Sequence, residues 1–190
     1  MAFGWEGEVT RLVPLEKSKH MANAVTWLND SVVTEWIVQG DFPLTRLGEE
    51  QFFDNAAKQD ENSANFAIET LEGVHLGFSG VLHVDWRHGF AVTGSFIGRR
   101  DFWGKGYGSD AARIRTRYAF DVMGLRMLLS EVMHGNEASI RMLQKAGYRE
   151  VGRLPGRFWK RGAYRDLVQM VVTREEWERT ASSPDEETKG

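Results

Sequence analysis

No cysteine occurs anywhere in the chain, which excludes a disulfide framework, a thiol nucleophile and thiolate metal sites and fits a reducing compartment. No apolar run approaches the ~20 residues needed to span a bilayer. The first residues carry Glu6 and Glu8, where a secretory leader would need basic residues followed by an apolar stretch. The sequence therefore predicts a cytoplasmic protein with no membrane partner. A charge excess of one sign is also missing, since 24 Lys and Arg stand against 27 Asp and Glu for a net charge of −3. A nucleic-acid partner, which needs a basic field or patch, is not expected. No internal repeat is visible. What is there is 190 residues, 42% hydrophobic and 27% charged, enough for one domain with a real core and cramped for two. That domain is expected over residues 1–180. The polar, acidic stretch at 181–190 has nothing to bury and is expected to be a disordered tail.

The apolar period switches several times along the chain, which predicts mixed α and β elements in one unit. Val9, Leu12 and Leu15 mark an opening strand, and Met21, Ala24, Val25 and Leu28 recur at helical spacing up to Asn29-Asp30. A short helix through Trp36, a loop at Phe42-Pro43-Leu44 and a helix over 48–58, with Phe52 and Phe53 facing inward, follow. Strands over 66–70, 77–84 and 90–97 read as an antiparallel meander, turned at Glu72-Gly73 and Arg87-His88-Gly89. A helix over 109–122 carries Ala111, Ile114, Tyr118 and Val122 on one face and Asp110, Arg113 and Arg117 on the other, and Gly124 ends it. A strand over 127–133, a helix over 138–145 stopped at Gly147 and a final strand over 167–172 complete the pattern.

Chemistry concentrates in Phe102-Trp103-Gly104-Lys105-Gly106-Tyr107-Gly108-Ser109, between a predicted strand and an amphipathic helix. Glycines let backbone approach a ligand closely, and the free N–H groups and dipole of a helix start bind phosphate oxygens. A flexible turn is the plainer reading of glycine pairs alone; the position between strand and helix favours a phosphate site. Two known phosphate motifs fail here. Counting from Gly104, the sixth position of a dinucleotide fingerprint falls on Ser109, and Gly104-Lys105 is followed by Gly106 where a P-loop needs Ser or Thr.

The segment resembles the acyl-CoA loop of the GNAT superfamily, whose core is Gln or Arg, two residues, Gly, any residue, then Gly or Ala. Gly106-Tyr107-Gly108 supplies its end, and Trp103 departs from its first position. The form Trp-Gly-Lys-Gly-Tyr is typical of the RimJ/RimL-like branch. Asn136-Glu137-Ala138-Ser139, running on to Lys145-Ala146-Gly147-Tyr148, resembles that branch's Asn-x-x-Ser helix and its Gly-aromatic end. Fainter echoes lie at Trp27-Leu28-Asn29-Asp30, Tyr164-Arg165-Asp166 and Arg174-Glu175-Glu176-Trp177. The resemblance implies a GNAT fold: an α/β (α+β) domain with a central, mostly antiparallel mixed sheet, splayed between two parallel strands and flanked by helices. Strands 90–97 and 127–133 would be the pair that parts, and acetyl-CoA (coenzyme A) would enter the gap. Phe96, Ile97 and Gly98 would then pair with the pantetheine amides. Trp103, Gly104, Lys105, Gly106, Tyr107, Gly108 and Ser109 would hold the pyrophosphate. Asn136 would bond the cofactor arm while also serving as a helix N-cap. A homodimer is a further family expectation.

Transfer of acetyl from a thioester to an amine needs a neutral nucleophile, an oxyanion stabiliser and a proton for the departing sulfur. An α-amine with pKa about 7.7–8.0 is partly neutral near neutrality, whereas a lysine ε-amine at about 10.4 is almost wholly protonated. The family's usual Tyr falls on Leu143 and its usual Glu on Val92. By resemblance Ser139 replaces the acid, with first-turn capping an equal alternative. Tyr148 is a weaker substitute, set against core packing. Glu131 stands as base if it faces the gap, with a water chain as its rival. Trp36, Phe42, Phe158 and Trp159 are candidates to line the acceptor pocket, with core packing as the alternative. Lys160, Arg161 and Arg165 offer charge for an anionic acceptor or form a solvated turn. His83, Asp85 and His88 lack a third ligand at recognisable spacing, so no metal is expected. Three readings stand: an N-acetyltransferase acting on a protein or peptide N-terminus or a small amine, a non-catalytic acyl-CoA-binding or regulatory module, and, least supported, a nucleotide-dependent enzyme.

Overall fold

The computed structural model describes residues 5–38, 40–56 and 60–181. The element order is β1 (Thr10–Pro14), α1 (Lys17–Leu28), a 3-10 helix (Val33–Trp36), α2 (Arg46–Ala56), β2 (Ala64–Thr70), β3 (His75–Asp85) and β4 (Phe90–Ile97). A 3-10 turn (Arg100–Phe102), α3 (Tyr107–Asp121), β5 (Met127–Met133), α4 (Glu137–Lys145), β6 (Arg149–Lys160), β7 (Ala163–Thr173) and α5 (Arg174–Ala181) follow. The strands form one sheet in the order β1-β2-β3-β4-β5-β7-β6. Every neighbouring pair is antiparallel except β4 and β5. This is the GNAT fold expected from the sequence.

Helices cover both faces. On one, Met21 and Ala24 of α1 and Phe53 of α2 pack with Phe78. On the other, Ala111 and Ile114 of α3 meet Leu12, Phe66, Ile68 and Leu76. Further along α3, Ala112, Ala119 and Phe120 join Ile140 and Leu143 of α4 over Val81, Ala91, Leu128, Val132, Val168 and Met170. Burying a side chain such as Phe120 contributes about 1.5–3 kcal/mol, so this second face carries most of the core.

Two expectations are corrected. Phe52 is 48% exposed and only Phe53 turns inward, because a helix places neighbouring residues about 100° apart. The helix predicted over 48–58 is described as α2 over Arg46–Ala56; residues 57–59 and the tail at 182–190 lie outside the described residues. Asp110 is buried rather than solvated: it accepts hydrogen bonds from the backbone N–H groups of Glu8, Val9 and Thr10 and from Thr10 Oγ1. Burial pushes its carboxyl up, but these donors outweigh it and hold the pKa below the ordinary value. In the first turn of α3 it also meets the positive end of the helix dipole.

Candidate active site

The site begins where the parallel pair fails. β4 and β5 share only the rungs Phe90–Met127, Ala91–Leu128 and Val92–Leu129. At the next position side chains replace the backbone ladder: Thr93 Oγ1 donates to the Leu129 carbonyl at 3.1 Å and Ser130 Oγ to the Thr93 carbonyl at 3.0 Å. Beyond them the strands part. Gly94 to Ile97 on one side and Glu131 to Met133 on the other border a cavity of about 760 Å³, a volume that suits a small-molecule site.

Backbone groups of β4 are left over in that gap. Gly98 N–H donates to the Leu76 carbonyl at 2.8 Å, so Gly98 turns toward β3. Because alternate residues of a strand present N–H and C=O to opposite neighbours, Ile97 and Ser95 turn toward the gap. The Ile97 carbonyl is taken by the Trp103 indole N–H at 2.7 Å, which pins the glycine loop to the end of β4. Trp103 thus departs from the family pattern yet secures the loop.

The loop itself is an open cradle. Gly104 and Gly106 have φ of +73° and +92°, and a Cβ built on either, or on Gly94, would meet no atom within 4 Å. Gly106 precedes α3 without a side-chain cap, so the N–H groups of the helix's first turn have no intrahelical acceptor. With the dipole behind them they suit a pyrophosphate. Across the gap, Asn136 Oδ1 accepts from Ser139 N–H at 3.1 Å and caps α4. The residues present therefore fit an acyl-CoA along their length: a phosphate cradle, unpaired strand backbone, and a capping amide whose nitrogen remains for a ligand.

The cavity gathers most of the sequence-predicted residues. Phe96, Ile97, Trp103, Gly104, Gly106, Gly108, Ser109, Asn136, Ser139, Glu131 and Trp36 all line it. Phe96 borders it while, by the same alternation, turning its backbone toward β3. Others stand elsewhere. Gly98 is a packing glycine, since a Cβ there would lie 2.0 Å from Trp27 Cδ2. Lys105 reaches over the Phe102 ring at 5.9 Å, and the Tyr107 ring packs edge-on to Phe102 at 5.0 Å. Tyr148 is buried, with its hydroxyl 3.2 Å from Thr93 Oγ1; it supports the floor of the gap and does not border it. Phe42 is 79% exposed. Phe158 is buried with Met133 and Leu167, and Trp159 is 62% exposed beside Tyr164; both belong to β6, which the periodicity did not reveal. His88 and Asp85 pair at the β3–β4 turn, with His88 Nδ1 and Asp85 Oδ2 2.9 Å apart. Hydrogen bonds from the His88 ring and then from its backbone N–H draw the Asp85 pKa down.

Five charged cavity residues escaped the sequence reading: Glu35, Arg115, Glu137, Arg141 and Lys145. Arg141 and Lys145 stand one turn apart on α4, a spacing visible in the sequence once the helix start at Asn136 is known. Arg115 lies four residues from both Ala111 and Ala119, a charge on the apolar stripe of α3. That misplacement was the available signal.

Comparison with known proteins agrees with this geometry. The chain belongs to the GNAT acetyltransferases: residues 10–149 match the acetyltransferase (GNAT) domain. It is similar to the spermidine N(1)-acetyltransferase of Escherichia coli K12, at 26% identity over 118 residues covering 62% of each chain. The chain thus spans less than two thirds of that relative in the match. An FsC-acetyl coenzyme A-N(2)-transacetylase of Aspergillus fumigatus is 35% identical over 78 residues, 40% of this chain and 33% of that one. Among solved structures, spermidine N-acetyltransferase from Vibrio cholerae in complex with CoA and spermine superposes with a TM-score of 0.82 at 17% identity. That match covers 89% of this chain and 98% of the other; at that identity the likeness is one of fold.

Proposed function

We propose that this chain is an N-acetyltransferase that moves an acetyl group from acetyl-CoA to a primary amine by direct attack in a ternary complex. The observation that carries the reading is the gap between β4 and β5 running into the open first turn of α3. Acetyl-CoA brings an activated thioester; the chain does the rest. Gly104 to Ser109 would hold the pyrophosphate, the gap-facing backbone of Ser95 and Ile97 the pantetheine arm, and the Asn136 amide the same arm from α4. Glu131, on the cavity wall, is placed to take a proton from the incoming amine directly or through water. Ser139 is placed to hydrogen-bond the departing sulfur.

The acceptor end is bounded by Val33, Glu35, Trp36 and Glu131. Two carboxylates beside an indole favour a cationic amine, and the spermidine acetyltransferases among the similar proteins point the same way. We therefore infer a small polycationic amine as acceptor in preference to a protein N-terminus, and place the chain in the RimJ/RimL-like branch on its Trp103-to-Tyr107 and Asn136-to-Ser139 segments. Consumption of acetyl-CoA and the absence of cysteine favour a cytoplasmic setting.

Calorimetric titration with acetyl-CoA, CoA and ATP tests the reading, with Gly106→Glu beside the wild type. Micromolar acetyl-CoA binding, about −8 kcal/mol, lost in the variant whose carboxylate repels the pyrophosphate, is the expected result. Binding that ATP displaces and CoA does not would point to the nucleotide enzyme instead, and tight CoA binding without turnover of any amine to a non-catalytic module.

A further inference from the structure

Arg115 is the one guanidinium among the described residues whose Nε, Nη1 and Nη2 are all buried without a hydrogen-bond partner, and the residue as a whole is 0% exposed. It nevertheless borders the cavity. An arginine keeps its charge, and a buried charge without a counter-charge carries a large desolvation cost. Something that enters the cavity must therefore supply the missing acceptor. Two further buried hydroxyls without partners, Ser79 Oγ and Ser95 Oγ, belong to residues paired across β3 and β4. They face α3, on the same side as Val81 and Ile97. The set is rich in donors and contains no carboxylate.

Its level along the cavity is fixed by its neighbour. Thr116 Oγ1 lies 3.4 Å from the Tyr148 hydroxyl, which lies 3.2 Å from Thr93 Oγ1. Residues 115 and 116 thus stand beside the point where β4 and β5 part. The phosphate cradle is at the other end: eight residues back to Tyr107 is about 12 Å at the helical rise. Side chains of a helix lean toward its N-terminus, which carries the guanidinium toward Ser95, on the gap-facing stretch of β4. The charge is therefore at the reacting end of the site and away from the phosphates.

We propose that Arg115 holds the negative charge that develops on the coenzyme A sulfur during transfer, a proposal that rests on the acetyltransferase reading above. In the step, attack by the amine nitrogen forms the C–N bond, the C–S bond breaks, and its electron pair leaves on sulfur. The proton lost by nitrogen passes to Glu131 or water. Arg115 gives up no proton; it lowers the energy of the thiolate through a preorganised, desolvated charge. It supplies what Leu143, standing where the family has its usual tyrosine, has no means to provide, and it leaves Ser139 a hydrogen-bonding part.

The test reads the sulfur itself, without any acceptor. The CoA complex is titrated by the ultraviolet absorbance of the thiolate, against free CoA, for wild type, Arg115→Met and Arg115→Lys. A cation beside a thiol favours its thiolate. In the wild type the thiolate fraction near neutrality should exceed that of free CoA by about tenfold; Arg115→Lys should keep most of the gain and Arg115→Met should lose it. Other charged groups face the same cavity: Arg141 and Lys145 on α4, Glu137 at its start, Glu131 on β5 and Glu35 on the 3-10 helix. Arg141→Gln and Lys145→Gln are therefore run beside them and should leave the titration where it is. Removing an unpaired buried charge should not lower the melting temperature of the free protein, so Arg115→Met is expected to melt at or above the wild type. Bound CoA that titrates like free CoA, or that keeps its shift in Arg115→Met, overturns the proposal alone. Failure of the wild type to bind CoA overturns the acetyltransferase reading, and the proposal falls with it.

Discussion

At the scale of single residues, Tyr148 and Ser139 part company. Thr93 Oγ1 gives its hydrogen to the Leu129 carbonyl and Thr116 Oγ1 gives its own to the Ala112 carbonyl at 2.8 Å. Each threonine hydroxyl has one hydrogen, so the 3.2 Å contact is Tyr148 donating to Thr93. The resulting chain, Tyr148 to Thr93 to Leu129, ties the core beneath α4 to the last paired rung of the sheet. Tyr148→Phe should then cost about 1 kcal/mol, or roughly 2–4 °C in a protein of this size, with turnover close to wild type. Ser139→Ala, which removes a hydroxyl from the cavity wall, should leave stability and acetyl-CoA affinity alone and lower kcat by about 10²-fold or more. Thermal melts and steady-state rates on the two variants separate these roles. A large loss of turnover in Tyr148→Phe at unchanged stability would reverse them.

At the scale of elements, the docking of α1 on β2 and β3 rests on charge as much as on apolar contact. Glu69, fully buried, receives Lys19 at 2.5 Å, Arg11 at 2.9 Å and His20 at 3.3 Å. Burial pushes its carboxyl up, but the hydrogen bonds from Lys19, Arg11 and His20 win and hold it at about 2. His75, packed 4.6 Å from the His20 ring, is pushed down to about 4 by burial first and by His20 second. Its Nδ1 lies 2.9 Å from Asn23 Nδ2 and its Nε2 3.1 Å from the Gly77 carbonyl, a pattern that suits the neutral ring. Both pKa values are depressed in the folded chain, so both contributions are complete at neutral pH. The His75 contribution is lost as pH falls from about 6.5 toward 4. The Glu69 contribution follows from about 4.5 toward 2. The His75 share is on the order of 3 kcal/mol. Urea midpoints should therefore fall between pH 7 and 4 in the wild type and fall much less in His75→Gln, whose amide can keep both hydrogen bonds without titrating. Equal slopes would remove His75 from the account.

What was legible in the sequence at this scale follows the same physics. β2 and β3 are buried on both faces over most of their length and β4 and β5 begin with an alternating face, and their apolar runs stood out. β6 has residues exposed along most of its length and two register shifts, between Glu150 and Gly152 and between Leu154 and Phe158. An edge strand of that kind has no period to read, and the aromatics it carries looked unattached. The glycine loop proposed to hold the phosphates was legible because its glycines and helix start are local. The cluster of Arg11, Lys19, His20, Glu69 and His75 was not, because two stretches far apart in the sequence, 11–20 and 69–75, meet there. Arg115 carried a signal, its place on the apolar stripe of α3, but what covers a charged helical residue is shown only by the tertiary structure.

At the scale of the whole molecule, the sheet has two halves joined by a short ladder over a core that α3 and α4 share. β1 to β4 with α1 to α3 form one, β5 to β7 with α4 and α5 the other, and the strands that join them share three rungs before Thr93 and Ser130 take over. A ligand lying in the gap would touch β4 and α3 on one side and β5 and α4 on the other, so its binding energy acts on that junction itself. Acetyl-CoA at 100 times its Kd should add about 2.7 kcal/mol, or roughly 5–10 °C in melting temperature for a chain of this length. The same addition should slow hydrogen exchange at the amides of Ser95 and Ile97 and at the first turn of α3, whose N–H groups have no partner in the fold. Gly106→Glu should show neither effect. A rise in melting temperature without protection of those amides would mean that the ligand sits elsewhere, and protection confined to α3 would mean that the phosphates are held but the gap between β4 and β5 is not the path of the arm.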